Sequence, residues 1–434
     1  MRALFMASLL ALFGTEAFAS PQPTLLRRAA LGAALTAAEG GVSVSAVSPN
    51  SAAARAGLAV GDIVTRIGDH AVTSPQDFRA SLAASPSGRA IPLTITRGGS
   101  AQTLNVTLTL APMENDPQIE TIYGAVTVDN SLRRTLLTVP RGARGRHPAM
   151  LIVGGIGCYS VDNTDPRDPY RRLAYDLGRH GIVVMRLEKS GIGDSQGAPC
   201  STVDFHAETR SYEAATAALR DDPHVDPARV FLFGHSIGTI EAPDIAARQS
   251  VAGIIAAQGF GRTWVEYEMI NTRRQLELVG NTPTDVDAAM RLKAACMNRA
   301  LIQSEPMEHI LAETPDCRDV VLLPASQAYM HQLTEINVAQ VWTAFNAPAL
   351  VIYGTSDFIT DEPDHRRLVD LVNGARPGNA QLVLLPGMDH FLAHAATQAE
   401  SFQREHSGNA FGEYYADFST TTGGWICARA RCSA

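Results

Sequence analysis

The sequence predicts an α/β protein built on a mainly parallel sheet and preceded by a small, mainly-β domain. Three observations carry that expectation. From about residue 118, short continuously apolar runs alternate with amphipathic helical stretches, the pattern of a parallel sheet covered on both faces. Before residue 112 the strands instead alternate apolar and polar with period two, and one helix-start signal interrupts them. The 434 residues leave ample chain for two or three domains, each with a core. The formal charge of −8 and the absence of any Lys or Arg run weigh against a nucleic-acid partner. No apolar stretch reaches the ~20 residues a bilayer span needs, which excludes a polytopic membrane protein.

Met1 and Arg2 precede an apolar run over 3–13, then Gly14-Thr15-Glu16 and the tripeptide Ala17-Phe18-Ala19. A short basic start, an apolar stretch too short to span, and small residues before the cut define a secretory signal peptide over 1–19. The alternative is an uncleaved anchor. The mature chain is therefore expected to be exported, periplasmic or secreted, with no integral membrane span. Six cysteines stand singly without a C-x-x-C pair, and an oxidising compartment lets them bridge. Their connectivity stays open; Cys427 with Cys432, and Cys296 with Cys317, are candidate local pairs.

Residues 42–47 alternate as a half-buried strand, and a turn and a short helical turn capped by Gly57 follow. Ser74 as N-cap with Pro75 at the first position opens a helix through 84, and strands over 91–97 and 102–110 are joined by Gly98-Gly99. The segment 51–63, Ser-Ala-Ala-Ala-Arg-Ala-Gly-Leu-Ala-Val-Gly-Asp-Ile, resembles a PDZ domain of the bacterial protease type, and the likeness covers most of 27–112. In that family an apolar-Gly-apolar loop offers backbone N–H groups to a peptide C-terminus, which adds as an edge strand. The resemblance implies that Leu31, Gly32 and Ala33 form this loop, with Arg27 or Arg28 near in sequence to help with the charge. Ala33 is smaller than the family's usual residue, and the rival reading is a spacer with a degenerate groove. The chain's own end, Cys432-Ser433-Ala434, is a small C-terminus that such a groove accepts.

The second domain, 118–425, carries candidate strands over 121–128, 134–139, 149–154, 182–187, 229–233, 253–258, 349–353 and 381–385. Helical stretches over 170–179, 204–220 and 237–247 separate the middle ones; the first two strands have no helix between them and form an antiparallel edge. The stretch from about 259 to 345 holds polar helical patterns and no clear strand, so it reads as a helical lid.

G-x-S-x-G occurs at 193–197 and at 234–238. A nucleophilic serine needs a sharp strand-to-helix turn crowded enough to require glycine on both sides. Val230-Phe231-Leu232-Phe233 feeds directly into Gly234 and a helix can follow Ser236, whereas Gly197-Ala198-Pro199 after Ser195 starts none. This half resembles the α/β-hydrolase fold, which places an acid after a late strand and a histidine after the last one. On that resemblance Ser236 is the nucleophile, Asp357 the acid after 349–353, and His390 the base after 381–385, with Asp361 and Asp389 as runner-up acids. The oxyanion donors are the N–H of Ile237 and an N–H of the turn Val153-Gly154-Gly155-Ile156-Gly157-Cys158, with Ile156 chosen over Gly157. Cys158 is expected to bridge, with Cys200 as a candidate partner. Residues 186–197 resemble the R-x-D-K-x-G-x-G-x-S-x-G loop of bacterial esterases and peptidase-like hydrolases, which shapes the site wall; Glu188 stands in place of its Asp.

Asp162, Asp165 and Asp168 are interrupted by Pro166 and so read as an ordinary turn, and the histidines show no ligand spacing. Gly154-Gly155-Ile156-Gly157 lacks the third glycine and downstream acid of a dinucleotide loop. No cofactor or metal is expected. The function these residues imply is an exported serine hydrolase acting on a small-molecule ester or acyl substrate, with peptide or protein docking at the first domain. A peptidase, thioesterase or acyltransferase on the same fold, or a non-catalytic binding protein, are the alternatives.

Overall fold

Two sheets organise the chain. The structure, a computed structural model, describes residues 25–85, 87–321, 323–407, 412–430 and 432. The expected signal segment and Ser433-Ala434 lie outside the described residues, so docking of the chain's own end is not addressed. The first domain contains β1 (Ala29–Ala30), β2 (Ala33–Ala38), β3 (Gly41–Val47), α1 (Ala52–Ala56), β4 (Ile63–Ile67), β5 (His70–Ala71), α2 (Pro75–Ala84), β6 (Ala90–Arg97), β7 (Ser100–Thr107) and β8 (Thr109–Leu110). Its antiparallel sheet runs β2-β3-β4-β6-β7 with β5 against β4, around a core that includes Val42, Val64, Ile95 and Val106. Ser51 and Ser74 cap α1 and α2 through their hydroxyls, each accepting an N–H at 3.1 Å, and Gly57 ends α1 at φ +77°. The final strand is divided because Thr109–Leu110 leaves β6 and pairs with β1.

The second domain follows as β9 (Ile119–Val128), β10 (Ser131–Pro140), β11 (His147–Val153), α3 (Pro169–Arg179), β12 (Val183–Leu187), α4 (Phe205–Asp221), β13 (Val225–His235), α5 (Gly238–Arg248) and β14 (Gly253–Ala257). The helical segment is α6 (Trp264–Leu278), α7 (Pro283–Met297), a π turn at Asn298–Ile302, α8 (Met307–Glu313), α9 (Cys317–Val320), α10 (Gln327–Glu335) and α11 (Val338–Ala344). Then come β15 (Ala349–Gly354), α12 (Glu362–Ala375), β16 (Ala380–Leu385), α13 (Gln398–His406) and α14 (Ala416–Ala430). Eight strands order as β16-β15-β14-β13-β11-β12-β10-β9, parallel from β16 through β12 and antiparallel at the β10-β9 edge. The continuously apolar strands are buried, and separate clusters pack on the two faces of the sheet. Parallel strands end at one carboxyl edge, where loops carry chemistry. Among the described residues no helix is long and apolar enough to cross a membrane.

All six cysteines are bridged, Cys158 to Cys200, Cys296 to Cys317 and Cys427 to Cys432. The Cys296–Cys317 bridge ties α7 to α9 within the lid, and Cys158–Cys200 ties the turn after β11 to the segment before α4.

The two domains are bolted together. Glu114, in the linker, receives two hydrogen bonds from Arg186 of β12 at 2.8 and 2.7 Å, and both side chains are fully buried. Arg27 bonds to Asp162 and, at 2.9 Å, to Asp194, while Arg134 reaches Asp194 at 2.9 Å and the Leu25 carbonyl at 2.7 Å. This corrects the expected role of Arg27. Its guanidinium is engaged by two carboxylates of the second domain and by the Ala111 and Pro112 carbonyls, so it is not available to a peptide at the groove. The Arg28 backbone N–H is likewise bound to Asp194.

Candidate active site

Ser236 sits between β13 and α5 with φ +54°, a left-handed conformation that costs a non-glycine residue energy and that its surroundings must hold. The crowding is measurable. A β-carbon at Gly234 would lie 2.3 Å from the Gly238 carbonyl oxygen, and one at Gly238 would lie 2.1 Å from that of Val153. Only glycine fits either side, which is what the motif encodes.

His390 follows β16, and its Nδ1 lies 3.0 Å from Asp357 Oδ2. Asp357 follows β15 and is completely buried. Its Oδ1 accepts the N–H groups of Ile359 (2.6 Å) and Thr360 (3.0 Å), and the Thr360 hydroxyl donates to Oδ2. Burial alone would raise this carboxyl; the charge and hydrogen bond of His390 and the Thr360 donors outweigh it and hold it below the ordinary value. The runner-up acids are engaged elsewhere. Asp361 caps α12 through the Asp364 N–H at 2.9 Å, and Asp389 accepts the N–H groups of Phe391 and Ala393 and an ion pair from Arg404.

The turn after β11 lies against Ser236: a β-carbon at Gly155 would come 3.5 Å from Ser236 Cβ. Four side chains fix it. Gly154 N–H donates to the Tyr212 hydroxyl (3.2 Å) and Gly155 N–H to the Tyr170 hydroxyl (3.0 Å). The Gly155 carbonyl accepts from Tyr159 (3.0 Å) and from Lys189 Nζ (2.7 Å), which also pairs with Glu208. Ile156 and Ile237 both line the cavity over Ser236, and neither backbone N–H meets an acceptor among the described residues. Gly157, the alternate donor, adopts φ +111°.

His235, just before Ser236, joins these parts. Its Nε2 lies 2.8 Å from the His390 carbonyl oxygen, which can only accept, so Nε2 carries the proton. Its Nδ1 then accepts from the Tyr170 hydroxyl at 2.6 Å. Burial, reinforced by repulsion from His390, pushes the His235 imidazole down to about 3, so it stays neutral and keeps this direction of donation. Nothing in the sequence pairs Tyr170 or Lys189 with the turn they hold, because their partners are distant along the chain.

Ser236, His235 and His390 line one cavity of about 860 Å³ with Phe260, Trp264 and Phe358. The lid is fastened over it. Arg274 of α6 donates to the Thr360 carbonyl at 2.9 Å, and the Trp342 indole of α11 donates to Thr239 of α5 at 3.0 Å. Ser195 is elsewhere: its hydroxyl donates to the Glu188 carbonyl (3.0 Å) and accepts the Arg134 N–H (2.9 Å).

In the first domain, Leu31 is buried, Gly32 adopts φ +76° against Ser51, and Ala33 opens β2. β2 is an outer strand of its sheet, with α2 packed beside it.

Known proteins match both halves. The family model described as PDZ domain matches residues 29–108, and that described as serine aminopeptidase, S33, matches 166–395, more than half of the chain. Esterase EstD of Thermotoga maritima is 24% identical over 276 residues, 62% of this chain and 61% of its own length, so the chain spans about three-fifths of that relative. A probable periplasmic serine endoprotease DegP-like of Halomonas elongata is 41% identical over 63 residues, 14% of this chain and 13% of its own. An esterase structure from Pyrococcus furiosus is 14% identical with a TM-score of 0.45, covering 74% of this chain and 98% of that one. The chain therefore belongs to the serine aminopeptidase S33 family of α/β-hydrolases and carries an N-terminal PDZ domain.

Proposed function

We propose that the protein is an exported serine hydrolase that cleaves a carboxylic ester through Ser236, His390 and Asp357, with its PDZ domain docking a peptide or protein. The observation that supports this most is the 3.0 Å His390–Asp357 bond beside a cavity that also presents a left-handed Ser236. Ser236 Oγ attacks the ester carbonyl carbon while His390 Nε2 takes its proton. Asp357 accepts from His390 Nδ1–H, fixes the tautomer and stabilises the imidazolium. The N–H groups of Ile156 and Ile237 receive the oxyanion. The C–O bond to the alcohol breaks, the alcohol leaves with the proton from His390, and the acyl group stays on Ser236. Water, deprotonated by His390, then attacks the acyl carbon, releasing the acid and restoring the serine hydroxyl.

At the PDZ domain, the outer strand β2 beside α2 supports addition of an extended peptide, with Leu31, Gly32 and Ala33 facing its carboxylate. With Arg27 turned away, backbone N–H groups carry that recognition. The three disulfides support an oxidising destination, periplasmic or secreted. Membership of the serine aminopeptidase S33 family favours a peptidase reading, and the related esterase favours ester cleavage.

A fluorophosphonate probe tests the assignment. Labelling of the wild type that disappears in Ser236→Ala is the expected result. A folded wild type that fails to label at any pH leaves a non-catalytic binding protein. A panel of matched esters and amides of one acid then separates esterase from peptidase.

A further inference from the structure

The cavity follows one face of α6. Trp264, Glu268, Asn271 and Gln275 all line it and recur every three or four residues, over roughly 16 Å of helix. Rings dominate its first turn, where Phe260 and Tyr267 stack with centroids 4.5 Å apart and Trp264 packs on both. At Glu268 the wall changes character. Glu268 Oε2 accepts from Lys293 Nζ of α7 at 2.8 Å, and the Lys293 side chain is 3% exposed.

Burying an ion pair against aromatic rings carries a desolvation cost that well-packed apolar residues would avoid. The protein also uses the pair incompletely. Among the described residues Lys293 makes this single hydrogen bond, although an ammonium donates three, and Glu268 Oε1 accepts none. A donor and an acceptor therefore stand side by side in the cavity wall. Charge around them is unfavourable to anions. Among the described residues lining the cavity Lys293 is the one Lys or Arg, against the carboxylates Asp168, Glu268 and Glu405.

We propose that the Glu268–Lys293 pair is a substrate-recognition subsite for an uncharged group that both donates and accepts hydrogen bonds, a hydroxyl or primary carboxamide, on the far arm of an otherwise apolar ester. The hydroxyl or amide N–H donates to Glu268 Oε1, and its oxygen accepts from Lys293. Rejection is expected at such a site, because an arm without the polar group sets an apolar chain against the free Glu268 oxygen and the spare Lys293 donors and displaces the water that would otherwise satisfy them. The inference rests on the hydrolase reading of Ser236.

The test uses two series of esters with four- to eight-carbon arms ending in methyl, hydroxyl, carboxamide or carboxylate. In one series the tip is on the acyl arm of a 4-nitrophenyl ester; in the other it is on the alcohol arm of an acetate. The expected result is that, in one series, hydroxyl and carboxamide tips exceed the methyl tip in kcat/KM by about tenfold or more. The carboxylate tip ranks last. In Glu268→Leu/Lys293→Met, which removes the pair without stranding a charge, the ranking inverts in favour of methyl. If that variant does not fold, Glu268→Gln/Lys293→Gln serves, and it flattens the carboxylate penalty. Probe labelling of Ser236 is measured alongside. A labelled wild type with no tip preference, a hydroxyl and carboxamide preference that survives in Glu268→Leu/Lys293→Met, or an unchanged carboxylate penalty in Glu268→Gln/Lys293→Gln overturns the subsite alone. A wild type that does not label overturns the hydrolase reading, and the subsite with it.

Discussion

The segments 193–197 and 234–238 spell the same G-x-S-x-G pattern and are used in opposite ways. In the second, the chain passes from a buried strand into a helix, and Ser236 presents its side chain to the cavity. In the first, no strand or helix adjoins the motif, and Ser195 binds the Glu188 carbonyl and the Arg134 N–H, stitching the loop to β10. Glycine is needed in both for different reasons: Gly193 and Gly197 adopt φ +58° and +101°, whereas a β-carbon at Gly234 or Gly238 would strike the backbone of Gly238 or Val153. The pattern therefore encodes a demand of the backbone. Chemistry depends on whether the serine oxygen is left free of structural partners. The residue before each serine divides in the same way: His235 connects parts of the site, whereas Asp194 connects the two domains.

Exchanging the two serines for alanine breaks the comparison most directly. Ser236→Ala should abolish probe labelling and lower kcat by about 10³-fold or more with little change in unfolding free energy. Ser195→Ala should leave labelling intact but cost about 1–3 kcal/mol, because the buried Arg134 N–H loses its acceptor. Equal effects of both substitutions on labelling would contradict the division.

Asp194→Ala comes next. It strips a fully buried carboxylate from Arg27 and Arg134, whose side chains are 12% and 4% exposed, and should cost about 3–5 kcal/mol. Because the bonds cross between domains, limited proteolysis near the 112–118 linker should accelerate, while the surviving folded fraction still labels at Ser236. Unchanged cleavage would mean that the remaining contacts, Glu114–Arg186, Arg27–Asp162 and Arg134 to the Leu25 carbonyl, suffice to hold the domains together.

Particular residues show what was legible in the sequence. The inner parallel strands were visible because burial on both faces makes them continuous apolar runs; β16, at the sheet edge and partly exposed, was visible as an apolar run alone, and the lid as a break in that rhythm. The turn residues Gly234 and Gly238, and the strand ends before Asp357 and His390, were equally readable, being local. What stayed hidden were contacts between side chains far apart in the chain. Nothing in the linker marks Glu114 as the partner of Arg186, and nothing near residue 27 shows that its arginine turns toward Asp162. The α13 and α14 helices after His390 were also not legible. Several of their buried positions are small or polar, such as Ser401, Ser419 and Thr422, and so blur the amphipathic pattern.

Glu188 sharpens the contrast through pH. Burial pushes its carboxyl up to about 7, against the Ser160 hydrogen bond and the charge of Arg28, with Asp162 adding to the rise. Its Oε2 has no partner among the described residues. The folded-state value lies above the unfolded one, so the native protein holds this proton more tightly. That stabilisation is complete below about pH 4.5 and is lost as pH rises through about 7, amounting at most to roughly 3 kcal/mol. Glu188→Gln should therefore gain stability relative to wild type on going from about pH 5 to about pH 8.5, as read by urea unfolding. A constant difference across that range would place the carboxyl at an ordinary value.

Tyr170→Phe probes the other motif with the smallest change, one oxygen. The hydroxyl accepts the Gly155 N–H and donates to His235 Nδ1, so its loss frees the turn proposed to bind the oxyanion from the ring that also holds the His390 carbonyl. The substrate cavity keeps its aromatic wall, so KM should change little while kcat falls about tenfold, close to 1.4 kcal/mol of transition-state stabilisation. A purely packing role for Tyr170 predicts instead a lower unfolding free energy with kcat preserved. Measuring both quantities on the one variant decides whether the residue before Ser236 acts through geometry at the reacting centre or only through stability, as Asp194 does before Ser195.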